Sequence, residues 1–310
     1  MRIVVCKRII HAGVALAPHL ELLQLSTRTY SRDFVRWHRQ AAGKGAELLR
    51  WCVYCQGFQG EVPPYADLNT THGMCPQCKA QGLVSLEAGV QQSQFIQKIQ
   101  DELMRVGRLG DVQAAQGIIA QAVYSGLRQV DIMVGLIAPL LYIIGAQWEQ
   151  GNVSVAEEHR FTLFCENVFH VLNNGSKRTN PEGDATIKPT VVLVNAYGNN
   201  HTLGLRILAM WLRSKHIDAQ LLEPTPAPIE LLSLCRQQRP VAVLISLALP
   251  EQRPGVVILS EALASVSEYK PIVAVGGYAV KMGLTTPIQG TQFVTDITYL
   301  VDFLRQLPPN

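Results

Sequence analysis

Aromatic side chains are scarce in this chain, at 7% of its 310 residues, and charged residues make up only 16%. The first shortage means that the core is built mainly from Leu, Val, Ile and Ala. The second, set against 48% hydrophobic residues, excludes a disordered chain, which has high net charge and little to bury. No apolar run reaches the ~20 residues of a membrane-spanning helix. The longest, Ile132 to Ala146, is interrupted by Pro139 and reads as a buried helix. The first twenty residues, MRIVVCKRIIHAGVALAPHL, lack a convincing cleavage site, and charges and His11 break up their apolar patch. The expectation is therefore a cytoplasmic protein with no membrane partner. No helix-turn-helix pattern occurs, which removes the usual ground for sequence-specific DNA binding.

The charge that is present is unevenly spread. Residues 1–50 hold nine Lys or Arg against three Asp or Glu, a surplus of +6, so the remainder, with 18 against 21, carries −3. A basic segment over 1–45, including Arg28, Arg32, Arg36 and Arg39, suits an acidic partner, a nucleic acid or an anionic surface; it equally suits a solvated leader.

Four further segments follow: a Cys-rich module over 46–84, a helical region over 88–176, a polar linker over 177–188, and an alternating region over 189–310. In the helical region, apolar spacing of three and four predicts helices over Gln91–Val106, Asp111–Leu127, Val130–Gln147 and Val155–Leu172. Short connections make these an all-α four-helix bundle. In the last region, Val/Ile/Leu runs such as PTVVLVNA, PVAVLISLA and PIVAVGGYA alternate with amphipathic helices. That pattern predicts an α/β doubly wound parallel sheet of the Rossmann or flavodoxin-like kind.

Cys52 and Cys55, then Cys75 and Cys78, form two Cys-x-x-Cys pairs nineteen residues apart. Two such knuckles at this spacing predict a zinc-ribbon-like module whose four thiolates close a tetrahedral, structural site. Two disulfides, four unrelated thiols, an iron–sulfur cluster and a redox-sensitive zinc site are the competing readings; a cytoplasmic compartment argues against the first and the regular spacing against the second. Cys165 and Cys235 fall on apolar helix faces, where buried thiols are ordinary.

Ligands of open parallel sheets bind beyond the carboxyl ends of the strands, near the switch in strand order. Three loops meet that edge: NNHTLG (Asn199 to Gly204), SLAL (Ser246 to Leu249) and VGG (Val275 to Gly277). His201 sits where a strand turns into a helix. Alone it is as readily a polar loop residue, or a haem ligand, as anything more specific. Together the three loops resemble the Asp-x-His-x-x-Gly, Ser-x-Leu and Gly-Gly pattern of cobalamin-binding domains. The resemblance implies that His201 is the lower axial ligand of cobalt and that Gly204 lets the nucleotide tail approach. It further implies that Ser246, Leu249, Gly276 and Gly277 line the tail pocket. Asn199 stands where that family has Asp; an amide keeps the imidazole oriented but loses the charge.

The bundle carries a second constellation. Ser154 followed by Glu157 is a capping box, so a helix should begin at Val155 with Glu158 and His159 in its first turn. Trp148 ends the preceding helix. Its plain alternative role is to close the bundle core above a solvated polar turn. The stretch Leu136 to His159 is similar to the cap of CarH-type light-sensing regulators, which carry Trp, nine residues, then Glu-His. That resemblance implies that Trp148, Glu158 and His159 cover the adenosyl group of adenosylcobalamin, and that light, by releasing it, rearranges cap and oligomer. Glu149 stands where the best-described photoreceptor of this pattern has a second His, which leaves His159 to reach cobalt.

The expected function is therefore a non-enzymatic, cobalamin-binding sensor with zinc in its N-terminal module, acting through homo-oligomers or a regulatory protein partner. The alternative is a corrinoid protein carrying methyl groups for a methyltransferase. A radical mutase subunit is disfavoured because no barrel domain is present to hold a substrate.

Overall fold

A computed structural model of the chain describes residues 49–61, 70–81, 87–175, 190–265 and 270–307. The basic segment 1–45, with Cys6, and the linker 177–188 lie outside the described residues.

In the cysteine module, Leu49–Cys52 (β1) pairs antiparallel with Phe58–Glu61 (β2) and parallel with Thr70–Gly73 (β3). A short helix, Pro76–Ala80 (α1), follows. Each strand has four residues, too few for a period-two pattern to stand out, so the sequence alone reads here as irregular.

The four bundle helices are Glu87–Leu109 (α2), Val112–Tyr124 (α3), Gln129–Glu149 (α4) and Val155–Gly175 (α5). Helix α2 starts earlier than its periodicity implies. Pro139 does not break α4. Proline lacks an N–H and its ring crowds the carbonyl four residues back, here that of Gly135. The turn Met133–Ile137 widens into a π-helix, which gives that carbonyl room. Gly135 has a second reason to be glycine, because a Cβ there would lie 2.4 Å from the Trp51 ring. By length and composition α4 is apolar enough to cross a membrane, yet most of that stretch is buried inside the fold, as expected of a core helix.

The second sheet contains Thr190–Asn195 (β4), Asp218–Leu221 (β5), Ala242–Ser246 (β6), Ile272–Gly276 (β7) and Gln292–Phe293 (β8). All pairings are parallel, in the order β5-β4-β6-β7-β8. That is the flavodoxin-like order, with its switch point between β4 and β6. Helices Leu203–Ser214 (α6), Pro228–Gln238 (α7), Arg253–Ala264 (α8), Tyr278–Lys281 (α9) and Ile297–Gln306 (α10) connect and cover the strands. Val192 and Val194 join Leu231 and Leu259 in one core, whereas Val191 and Leu193 join a second. This alternation along β4 is the mark of a sheet covered on both faces. The second core also contains Trp51 and Phe58 of the cysteine module and Ile99 and Phe164 of the bundle, so the three parts share one apolar interior. Cys165 and Cys235 are fully buried, and burial pushes both thiols up, Cys235 to about 11.

Candidate functional site

The carboxyl ends of β4, β6 and β7 face the bundle across a cavity of about 570 Å³, within the ~300–1,000 Å³ common for small-molecule sites. Nine of the ten residues expected to touch a cofactor line it: Trp148, Glu158, His159, His201, Gly204, Ser246, Leu249, Gly276 and Gly277. The tenth, Asn199, is buried beneath the loop that carries His201.

Asn199 works differently from the expectation. Its Oδ1 accepts the backbone N–H of His201 at 3.0 Å, and its Nδ2 donates to Asn195 Oδ1 and to the Ser246 carbonyl, each at 3.1 Å. The side chain thus fixes the main chain of His201 and ties it to the end of β6, and it does not orient the imidazole. The His201 ring is exposed at the cavity wall.

The glycines divide by cause. Gly277 has φ +106°, and a Cβ there would lie 2.5 Å from the Leu247 carbonyl oxygen, so the turn after β7 itself demands glycine. A Cβ at Gly204 would meet nothing within 4 Å; protein packing does not require glycine there, and the open space belongs to the cavity.

The cap side is a helical stripe. Leu141, Tyr142, Gly145, Trp148 and Glu149 of α4 all face the cavity, as the i, i+3, i+4 geometry of one face dictates. Trp148 is 42% exposed, so it does not close the bundle core. The capping box forms as expected: the Glu157 carboxylate accepts from the Ser154 N–H at 2.9 Å, and the Glu157 N–H donates to Ser154 Oγ at 3.3 Å. The hydrogen bonds from Ser154 hold the Glu157 carboxyl below its ordinary value. One residue further on, Glu158 Oε1 accepts from the Thr162 hydroxyl at 2.9 Å, and its other oxygen lies 3.6 Å from His159 Nε2.

A third wall was not foreseen. Glu61, at the end of β2, pairs with Lys281 inside the cavity, with side chains only 14% and 9% exposed. The Lys281 ammonium lies 4.3 Å from the centre of the Tyr142 ring, which stacks on Tyr278 at 5.9 Å. The Tyr278 hydroxyl donates to Glu149 at 3.3 Å. Burial pushes both phenols above their ordinary range, so they remain neutral donors at physiological pH. Tyr278 and Lys281 follow the Gly-Gly pair at i, i+3 spacing, a signal that was available; nothing in the sequence marks Glu61. Among the described lining residues, Glu61, Glu149, Glu158, Glu166 and Asp296 face the single ammonium of Lys281, an acidic surface suited to a ligand rich in N–H donors or carrying positive charge.

The four cysteines also converge. Cys52 ends β1, Cys75 caps α1 by accepting the Cys78 N–H, and all four sulfurs lie within 4.8 Å of one another. The Cys55 and Cys75 sulfurs are 3.8 Å apart, close to the ~3.8 Å edge of a tetrahedron with ~2.3 Å metal–sulfur bonds and far beyond the ~2.05 Å of a disulfide. Burial raises the Cys52 thiol, but backbone N–H groups of Cys55 and Cys75 outweigh it and bring it down to about 6. Hydrogen bonding to Cys75 and burial lift Cys78 to about 12, so a metal would have to displace that proton.

Residues 99–173, running from within α2 to near the end of α5, match the model of a family described as the B12 binding domain. Among solved structures, the chain is similar to a monomethylamine corrinoid protein of Methanosarcina barkeri, with 16% identity and a TM-score of 0.55 over 67% of this chain and 97% of that one. Looser likenesses are to the methanol:cobalamin methyltransferase complex MtaBC of Methanosarcina barkeri (14% identity, 76% and 86% covered, TM-score 0.35). A cobalamin-binding protein of Desulfitobacterium hafniense DCB-2 is at the same level (14% identity, 67% and 97% covered, TM-score 0.34). No curated protein matches the chain. The first likeness shows the fold, a helical bundle joined to a parallel Rossmann-like sheet, and the family match supports cobalamin binding.

Proposed function

We propose that the protein is a non-enzymatic sensor that holds adenosylcobalamin between the bundle and the sheet and changes its partner contacts when the upper ligand is lost. One observation carries this: a single cavity joins His201 from the sheet side to Trp148, Glu158 and His159 from the cap. His201 would hold the cobalt from the sheet side. Ser246, Leu249, Gly276 and Gly277 would line the tail, with Asn199 fixing the loop from below. Trp148 offers an apolar face, and Glu158 an acceptor, to a large polar upper group. When bound, this cofactor supplies a light-labile cobalt–carbon bond. The four cysteines would hold zinc as a closed, structural site.

A second reading, a corrinoid methyl carrier acting with a methyltransferase, is favoured by the likeness to nearly the whole of the monomethylamine corrinoid protein. The acidic roof separates the two readings, because a methyl group needs no hydrogen-bonding surface above it.

The test is an absorption spectrum of the full chain with adenosylcobalamin in the dark and again after green light, with size-exclusion chromatography in both states. The sensor reading expects a spectral change and a change in elution on illumination. A cofactor that binds but is unaltered by light sinks it, and methyl transfer from methylcobalamin to a thiol acceptor replaces it with the carrier. His201→Ala should remove the His-ligated spectrum while leaving stability within ~0.5 kcal/mol, as for an exposed side chain.

A further inference from the structure

Strand β2 joins the two sites. At its start, the Cys52–Cys55 knuckle sets its path: Cys52 donates its backbone N–H to the Gly57 carbonyl at 2.9 Å, and a Cβ on Gly57 would lie 3.3 Å from the Cys55 sulfur. Phe58, 2% exposed, packs edge-on against Trp51 at 5.5 Å. Near this strand the fully buried Asp131 carboxylate is bound twice by Arg128, at 2.6 and 2.9 Å. Gly60, at φ +106°, passes the Thr298 side chain so closely that a Cβ would lie 3.0 Å from its hydroxyl. At its end, Glu61 enters the cavity and pairs with Lys281. Four residues therefore span from the thiol centre to the cofactor cavity, and each of these contacts limits how far the strand can shift.

We propose that the cysteine module is a metal-dependent latch on the cofactor cavity, in which a metal at the four thiolates keeps β2 in register and thereby keeps Glu61 against Lys281 as the third wall. The inference rests on the preceding reading, with cobalamin in the cavity and zinc at the cysteines. The rim of a corrin carries amide side chains, whose N–H groups suit the Glu61 carboxylate and whose carbonyls suit the Lys281 ammonium. With the metal gone, the start of β2 loses its anchor, the Glu61–Lys281 pair is held only by the remaining strand contacts and weakens, and the cofactor depends more on the cap and sheet. Coupling of this kind is reciprocal, so bound cobalamin must retain the metal by the same factor.

The experiment uses the full chain loaded with zinc. Zinc loss to a chromogenic chelator is timed with and without bound adenosylcobalamin in the dark, and cobalamin release is timed after rapid desalting. Bound cobalamin should slow zinc loss about tenfold, within the ~5–150-fold range of typical site coupling. Glu61→Gln should abolish that protection and speed cobalamin release by a similar factor while keeping one zinc per chain. If Glu61→Gln loses its helical circular dichroism, the double variant Glu61→Gln/Lys281→Met, which removes both members of the pair, carries the same expectation. Cobalamin that binds tightly without slowing zinc loss overturns the latch and leaves the cobalamin reading standing. Protection that survives the Glu61 change also overturns it. A chain that takes up no cobalamin ends both readings, whereas one that takes up no zinc ends the latch and the zinc assignment and leaves the cobalamin reading standing.

Discussion

Gly145 offers the sharpest test of what the cavity is for. It lies in the interior of α4, where glycine costs ~1 kcal/mol relative to alanine, and a Cβ built there meets nothing within 4 Å. Packing alone would therefore favour alanine. Gly145→Ala should raise the stability of the cofactor-free protein by up to ~1 kcal/mol, a gain of ~2–4 °C in Tm for a domain of this size. The added methyl projects into the cavity, on the same helical face as Trp148. A flat macrocycle seated against α4 would then be overpacked by ~1–3 kcal/mol, weakening adenosylcobalamin about 5- to 150-fold. The two halves are measured separately, by thermal unfolding of the free protein and by absorbance titration with the cofactor. A variant that is more stable and binds as tightly as the parent refutes the seating against α4. A variant that is less stable refutes the claim that the space is empty.

Three other outcomes follow from local contacts. Asn199→Asp replaces the donating amide with an acceptor facing Asn195 Oδ1 and the Ser246 carbonyl, and should cost ~1–3 kcal/mol in chemical denaturation; a neutral result would show that the loop turns to re-pair. Gly135→Ala would drive a methyl to 2.4 Å from Trp51 and should lower stability by ~1–3 kcal/mol, visible as a lower Tm. The Glu157 carboxyl is held below its ordinary 4.5 by Ser154, so the capping box contributes fully above that pH and loses its contribution as pH falls through the lower folded value. Ser154→Ala should flatten the dependence of Tm on pH across that window, and an unchanged slope would remove the box from the account.

The doubly wound sheet was legible because its strands are buried on both faces and so read as continuous Val/Ile/Leu runs. The start of α5 was legible because a capping box is a local, chemically specific signal. Other features depend on partners distant in the chain. Asn199 resembled a ring-orienting residue by position, but its hydrogen bonds are set by Asn195, four residues back, and Ser246, on another strand. Pro139 looked like an interruption because sequence shows its clash but not the π-turn that absorbs it. Glu61 carried no signal at all, since its role comes from a four-residue strand that brings it against Lys281, 220 residues away in sequence.

The cavity residues are poor choices for a bare fold. Glycine at 145 weakens a helix, Trp148 leaves much of an indole exposed beside its own bundle, and Gly204 faces open space. Among the described lining residues, four carboxylates besides Asp296, which caps α10, share the cavity with a single lysine, and like charges near one another destabilise. None of these choices improves packing, and each becomes favourable once a large, flat ligand with hydrogen-bond donors fills the space between α4 and the His201 loop. Stability sacrificed along one continuous surface, while the cores on either side are tightly packed, is the physical mark of a binding site. The same logic extends to β2: ordering a buried Glu61–Lys281 pair is costly in isolation, so its place on that surface ties the cysteine module to the ligand as well as to the fold.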